Sequence, residues 1–200
     1  MNKRRRQPEL DRPGMGLPSG EQFILNSMLK IFALLRSVNP VLNLFQRETQ
    51  ELFELADETD SYDVFQPYLI PRVIGIEDSS RNWSVMMVLE HLHMVNRDLK
   101  NGISAMMEGV RPRGTVDVAL YKPQQDLDWG TLDRFTATNH EYVETIRQLV
   151  DKYGHLKSPI RHRHPWFGPL SAHQWHCLAA VHQRIHRRQI QKIVAMMGVV

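Results

Sequence analysis

Only one cysteine, Cys177, occurs in the 200 residues, so the chain can build neither an intramolecular disulfide framework nor a paired-thiolate metal site of the CxxC kind. Any metal it holds must take nitrogen and oxygen ligands, and so sparing a use of thiols fits a reducing cytosol. Long apolar runs are missing as well. The best candidate, Phe23 to Val38, is broken by Asn26, Ser27, Lys30 and Arg36 and is too short and too polar to span a bilayer. After the basic run Lys3, Arg4, Arg5 and Arg6, the residues Pro8, Glu9, Asp11, Arg12 and Pro13 stand where a secretory signal needs its apolar core. Nor is there an alternation of apolar and polar residues long enough for a substantial sheet. Net charge is small, +3, and owes much to that same basic run. These absences leave the expectation of a cytoplasmic, all-α protein without a membrane anchor.

What is present is an ordinary globular composition, 42% hydrophobic and 24% charged, in a length that suits one domain with a sizeable core. Residues 1–19 read as a flexible basic arm, solvated rather than bound to phosphate or lipid, and residues 20–200 as a single helical domain. Periodicity predicts a helix from about Gly20 to Arg36, with Phe23, Ile24, Met28, Ile31, Phe32 and Leu35 on its apolar face. Asn39 and Pro40 signal the start of a second, which carries Val41, Leu42, Phe45, Thr49, Leu52 and Phe53 to about Ala56, with a kink rather than a break expected near Ser37. A long connection from about Asp57 to Arg81 follows, of a length that in compact domains often lines a functional site. Further helices are predicted from near Ser84 to before Gly109, from about Thr131 to Tyr153 and from about Ser171 to Met197. With the first helix counted as an addition, this order describes a four-helix bundle, whose pockets form between facing helices. Asn139 interrupts the apolar stripe of its helix, as either a satisfied core amide or a pocket residue.

Most of the ten histidines lie in the last quarter of the chain. His182 and His186 form a His-x-x-x-His pair one turn apart, at positions where the stripe of Trp175, Leu178, Ala179, Ile190 and Ile193 predicts apolar residues. Two imidazoles facing a core need partners. One metal ion satisfies both, and so do hydrogen bonds from neighbouring helices. At ~100° per residue His173 lies about 180°, Cys177 about 140° and His176 about 120° from His182, so none of them joins that face. A third ligand must come from another helix. His91 lies a turn from Val88 and Val95, on or beside the buried stripe, whereas His93 points about 160° away from it.

Three features occur together: Trp83-Ser84 with His91 eight residues after the tryptophan, a distant His164-Pro165-Trp166-Phe167-Gly168 segment, and a final helix of the form W-x6-H-x3-H-x2-Q-I. From roughly residue 39 to its end the chain resembles the DinB/YfiT-like superfamily of bacterial metal-binding four-helix bundles. The resemblance implies His91, His182 and His186 as ligands of a divalent ion, zinc or nickel or else iron, with an open coordination position. Characterised relatives include transferases and isomerases that depend on low-molecular-weight thiols, which implies metal-activated attack of such a thiol on a small-molecule electrophile. A metal-dependent hydrolase and a non-enzymatic, metal-stabilised binding protein are the alternatives. The resemblance also implies a homodimer, and the segment Gly20–Val38, an extension beyond the usual four helices, either caps the bundle or builds a dimer contact. Around the site, the loops Tyr68–Ile76 and His162–Gly168 are expected to shape substrate access. Gln189 is expected to orient a ligand, Trp83 and Trp175 to pack, and His164 either to serve at the pocket mouth or to fix its loop. Arg184, Arg187, Arg188 and Lys192, with no aromatics interleaved, read as a solvated helix surface, so no nucleic acid is expected as a partner.

Overall fold

The computed structural model of the chain describes residues 9–59, 62–114 and 116–198. It is all-α in substance, with five helices: α1 (Ser19–Leu35), α2 (Val38–Asp57), α3 (Val85–Met107), α4 (Gly130–Tyr153) and α5 (Ala172–Met197). Local chemistry sets their ends. The Ser84 hydroxyl accepts from the Met87 N–H at the start of α3. Ser171 and Gln174 form a reciprocal capping box on α5, satisfying two orphan donors at once. Gly154 ends α4 in the left-handed region at φ 74°, where a side chain would be strained. The junction at Arg36 is a break and not the expected kink, because that residue is extended at φ −118° and ψ 133°. Asn39 and Pro40 sit inside the first turn of α2 rather than capping it, where proline's missing N–H leaves no bond unmade.

α2 to α5 form the bundle: α3 packs on α4 and α5, and α2 packs closely on α5 and more thinly on α4, while α1 lies outside against α5. The two long connections are pinned by antiparallel ribbons too short to show as alternation in sequence. β1 (Tyr68–Leu69) pairs with β2 (Asn82–Trp83), and β3 (His162–His164) with β4 (Gly168–Leu170). The expected basic run Lys3–Arg6 lies outside the described residues. From Asp11 onward the arm runs along the protein: the Asp11 N–H donates to Asp78 Oδ2 at 3.1 Å, and Leu17 is buried.

The core is two apolar clusters with a polar layer between them. One holds Phe45, Leu99, Tyr142, Ile146 and Ala179, and the other Leu52, Leu92, Phe135, Ile190 and Ile193. Between them each bundle helix contributes one polar side chain at the same level: Thr49, Asn96, Asn139 and Gln183. Asn139 Oδ1 accepts from Asn96 Nδ2 and from Gln183 Nε2, both at 2.9 Å, and Gln183 Nε2 also donates to Thr49 Oγ1. Asn139 and Thr49 also line a cavity of about 390 Å³ in the thinly packed α2/α4 seam. Both alternatives left open for Asn139 therefore hold.

The cationic surface expected on α5 is only partly solvated. Arg184 Nε and Arg187 Nε lie 2.8 and 2.7 Å from the carboxylate of Glu48, which is 1% exposed. Burial alone raises the Glu48 carboxyl, but hydrogen bonds from Arg187 and Arg184, with their charge, outweigh it and hold it below the ordinary 4.5. A carboxylate held low in the folded state stabilises the protein at neutral pH and loses that contribution as pH falls through its folded value. Glu48→Gln is therefore expected to cost about 2–3 kcal/mol at pH 7. In urea melts the gap from wild type should shrink as pH falls below the ordinary carboxylate value of 4.5.

Candidate metal centre

The seam between α3 and α5 collects His91 from one helix and His182 and His186 from the other. One-turn spacing on α5 sets the latter two rings 4.4 Å apart between centroids, and His91 closes the triangle at 5.1 and 4.7 Å. His182 Nε2 lies 3.0 Å from His186 Nε2 and 3.3 Å from His91 Nε2, and all three nitrogens fall within 4.8 Å of one another. Bonds of about 2.0–2.1 Å to a tetrahedral ion set its ligand atoms roughly 3.3 Å apart. The side chains already stand at nearly that separation.

Hydrogen bonding on the far side of the rings decides their tautomers. His91 Nδ1–H donates to the Tyr121 carbonyl at 2.7 Å. His186 Nδ1–H donates to Gln189 Oε1 at 2.7 Å, and the same amide's Nε2 donates to the Ser80 carbonyl, which fixes which way it points. With Nδ1 carrying the proton, Nε2 of both rings presents a lone pair toward the third. His182 is the exception, since its Nδ1 is buried with no partner among the described residues. Burial pushes His91 down to about 4, and burial together with the neighbouring rings holds His182 and His186 well below the ordinary histidine range. All three are neutral at pH 7, the form that ligates. Lone pairs converging in a crowded place repel one another unless a cation or a donor lies between them, so the residues fit a divalent ion.

A single short loop braces both outer partners. Through the Ser80 carbonyl it holds Gln189, and through Glu77 it holds Lys122, whose neighbour Tyr121 supplies the acceptor for His91. Lys122 Nζ lies 2.8 Å from Glu77 Oε2 and donates to Ser79 Oγ and Ser80 Oγ at 2.9 and 2.7 Å. Glu77, 5% exposed, also accepts from the Gly16 N–H at 2.8 Å and the Gly14 N–H at 3.3 Å. Burial alone raises the Glu77 carboxyl, but Lys122 and these backbone donors bring it below 4.5. Burial lowers the Lys122 ammonium, and Glu77 only partly offsets it. On the same side, the Gly75 N–H donates to Glu21 Oε1 at 2.7 Å, and Glu21 also pairs with Arg72. Gly75 has φ +93°, and a Cβ there would come within 2.7 Å of Ile185 Cδ1 on the turn that carries His182 and His186. Only glycine suits that approach.

The other histidines are placed elsewhere. His93 bonds to Thr138 Oγ1 at 2.7 Å in the α3/α4 seam. His176 Nδ1 accepts from the Tyr142 hydroxyl at 2.9 Å and its Nε2–H donates to the Val38 carbonyl. His173 Nε2–H donates to the Arg36 carbonyl. His164 Nδ1 accepts from the Trp166 N–H at 3.0 Å while its ring stacks on Phe167 at 4.6 Å, contacts that fix its loop, and it stands near enough to the three-histidine cluster for its charge to act on His182. Cys177 is buried, and burial pushes its thiol up to about 12. Trp83 is 4% exposed and lies 5.2 Å from His91 and, nearly parallel, 6.3 Å from His186. It packs the back of the site. Sequence reasoning had no signal for Tyr121 and Ser80, which act through backbone carbonyls, or for Glu77 and Lys122, which lie in stretches without periodicity.

No family model and no curated protein matches the sequence. Among solved structures, a crystal structure of TT2238, a four-helix bundle protein, matches at a TM-score of 0.52 and 19% identity, covering 78% of this chain and 98% of that one. Among the described residues no helix is long and apolar enough to cross a membrane. Likeness at that identity speaks to architecture alone, and on it the chain is a four-helix bundle with one helix added.

Proposed function

We propose that the protein is a divalent-metal-binding member of the DinB/YfiT-like superfamily, in which His91, His182 and His186 hold one zinc, nickel or iron ion through their Nε2 atoms. The observation that carries this reading is the pair of committed Nδ1–H donors, to Tyr121 and Gln189, which turns two Nε2 lone pairs toward the third imidazole. Three neutral ligands leave the ion's charge uncompensated and one position open. Bound there, a divalent cation supplies Lewis acidity that lets a water or a thiol lose its proton near neutral pH.

The surrounding side chains favour an external thiol over water as the nucleophile. No carboxylate joins the ligand cluster among the described residues, and Glu77, whose charge acts on His91, is engaged by Lys122 and two backbone N–H groups. Among the described residues the ligand cluster therefore offers no carboxylate to take a proton from a bound water, and a thiol, whose own pKa is already near 8–9, depends less on such help. Cys177 cannot serve, being buried with its thiol held protonated. The reading is therefore a transferase that moves a small electrophile onto a low-molecular-weight thiol.

Cobalt-substituted protein tests it. Adding a low-molecular-weight thiol is expected to change the visible absorption of the cobalt form, and an electrophile screen should give turnover that needs both metal and thiol. Turnover without thiol would point to a hydrolase. An unchanged spectrum, together with unfolding on metal removal, would leave the metal a structural role.

A further inference from the structure

At the end of the bundle away from the three histidines, the chain leaving α3 meets the β3/β4 ribbon around a cleft of about 430 Å³. Arg111, Arg161 and Arg163 line it, and Pro112, Pro159 and Pro169 supply stiff walls between them. Ladder geometry brings the two ribbon arginines together. Arg163 pairs with Pro169, and Arg161, two residues earlier, falls on the same side by the period of two. His162 borders the cleft as well, but its ring and that of His164 lie 5.8 and 5.4 Å from Trp175. Both edges are tied down. Ser158 Oγ donates to the Met106 carbonyl at 2.6 Å and accepts from the Ile160 N–H at 3.1 Å, while the Val110 N–H closes the exit from α3 on the Ala105 carbonyl at 2.8 Å. Met106 stands roughly 22 Å along α3 from His91, and Gln174, which Arg161 touches, roughly 12 Å along α5 from His182.

None of these three arginines forms an ion pair among the described residues. Arg161 Nη1 has an amide oxygen, Gln174 Oε1, at 3.4 Å, which orients a guanidinium without neutralising it. The carboxylates nearest Arg111 in sequence are engaged elsewhere. Asp117 Oδ1 accepts from the Ala119 N–H at 3.0 Å, and the charge of Glu108 acts on Lys152. Three like charges around one concavity repel one another and raise its positive potential, and an anion relieves both. We propose that the cleft binds the phosphate group of a small phosphorylated molecule, held by Arg111, Arg161 and Arg163. Guanidinium forks match phosphate oxygens bidentately, and three positive charges suit a group carrying about two negative ones at neutral pH better than they suit one carboxylate. The volume falls within the ~300–1,000 Å³ of small-molecule pockets, so the remainder of the molecule has room. A nucleic-acid backbone is a poorer occupant. No tryptophan, tyrosine or phenylalanine among the described residues lines the cleft for bases to stack on. The arginines hold no metal ligand position, so the proposal stands or falls apart from the metal centre.

Isothermal titration of the full, metal-loaded chain tests the proposal. Inorganic phosphate is expected to bind with a dissociation constant of about 1 mM or tighter, and ribose 5-phosphate more tightly still, because the cavity also takes its sugar. Arg111→Gln and Arg163→Gln are each expected to weaken both probes about 10-fold or more. Both side chains are exposed, so each variant should keep its far-ultraviolet circular dichroism and its metal content. His182→Ala should leave both affinities as they are. Binding that follows the histidine rather than the arginines would overturn the proposal and put the anion on the metal. No saturable binding of either probe at roughly 10 mM overturns it as well. So does succinate binding more tightly than phosphate at equal ionic strength, which would reassign the cleft to carboxylates. A single-stranded oligonucleotide that binds more tightly than ribose 5-phosphate, and is lost with the same two arginines, would overturn it in favour of nucleic acid.

Discussion

Alanine at His182 or at His186 is expected to abolish stoichiometric metal, alanine at His91 to weaken binding roughly 100-fold or more, and alanine at His93 to change nothing. The order follows from the geometry. His182 and His186 form a chelating pair on one helix, and losing either leaves two single ligands on separate helices. Losing His91 leaves the pair, whose nitrogens stand 3.0 Å apart. His93 is only two residues from His91 but faces the other way and bonds Thr138 in another seam. A further grade comes from the braces: Gln189→Leu removes the acceptor for His186 and the tie to Ser80, and is expected to cost about 10–100-fold in affinity. The measurement is elemental analysis of protein purified without a histidine tag, followed by competition with a chromophoric chelator. Equal metal content in the four alanine variants would refute the site.

Asn139→Leu is expected to destabilise the fold by about 2–5 kcal/mol, because it leaves two buried donors facing an apolar side chain. Asn96 Nδ2 loses its acceptor outright, and Gln183 Nε2 keeps only Thr49. For a domain of this size the loss corresponds to roughly 5–15 °C in melting temperature. Replacing Asn96, Asn139 and Gln183 together by leucine should be less harmful than the single change suggests, since no unpaired amide then remains, and buried polar groups are often matched in stability by apolar ones of similar volume. Urea melts of the single and triple variants decide the point. A single variant as stable as wild type would mean that the layer contributes nothing.

The helices were legible because their cause is local. Periodicity reports burial one residue at a time, and the predicted Gly20–Arg36, Thr131–Tyr153 and Ser171–Met197 lie within a residue or so of α1, α4 and α5. The break at Arg36 and the four short strands were not legible, because a two- or three-residue ribbon has no period to detect. Asn139 was recognisable as an interruption but not as a layer, since its partners lie 43 and 44 residues away in the chain. The same limit applied to α5's cations. Nothing near Arg184 or Arg187 in sequence reveals Glu48, which is more than a hundred residues distant and reached only once α2 and α5 pack.

By itself, then, the sequence determined that the protein is helical, where its long helices run, and that His182 and His186 share one face, because one-turn spacing is a property of the helix and not of what surrounds it. Only the tertiary structure decided the rest of the site. The approach of His91, the tautomers set by Tyr121 and Gln189, and the loop from Glu77 to Ser80 that braces both depend on backbone carbonyls and on contacts between distant segments. A carbonyl is the same in every residue, so no pattern of side chains announces which one will accept a histidine's proton. Packing alone makes that choice.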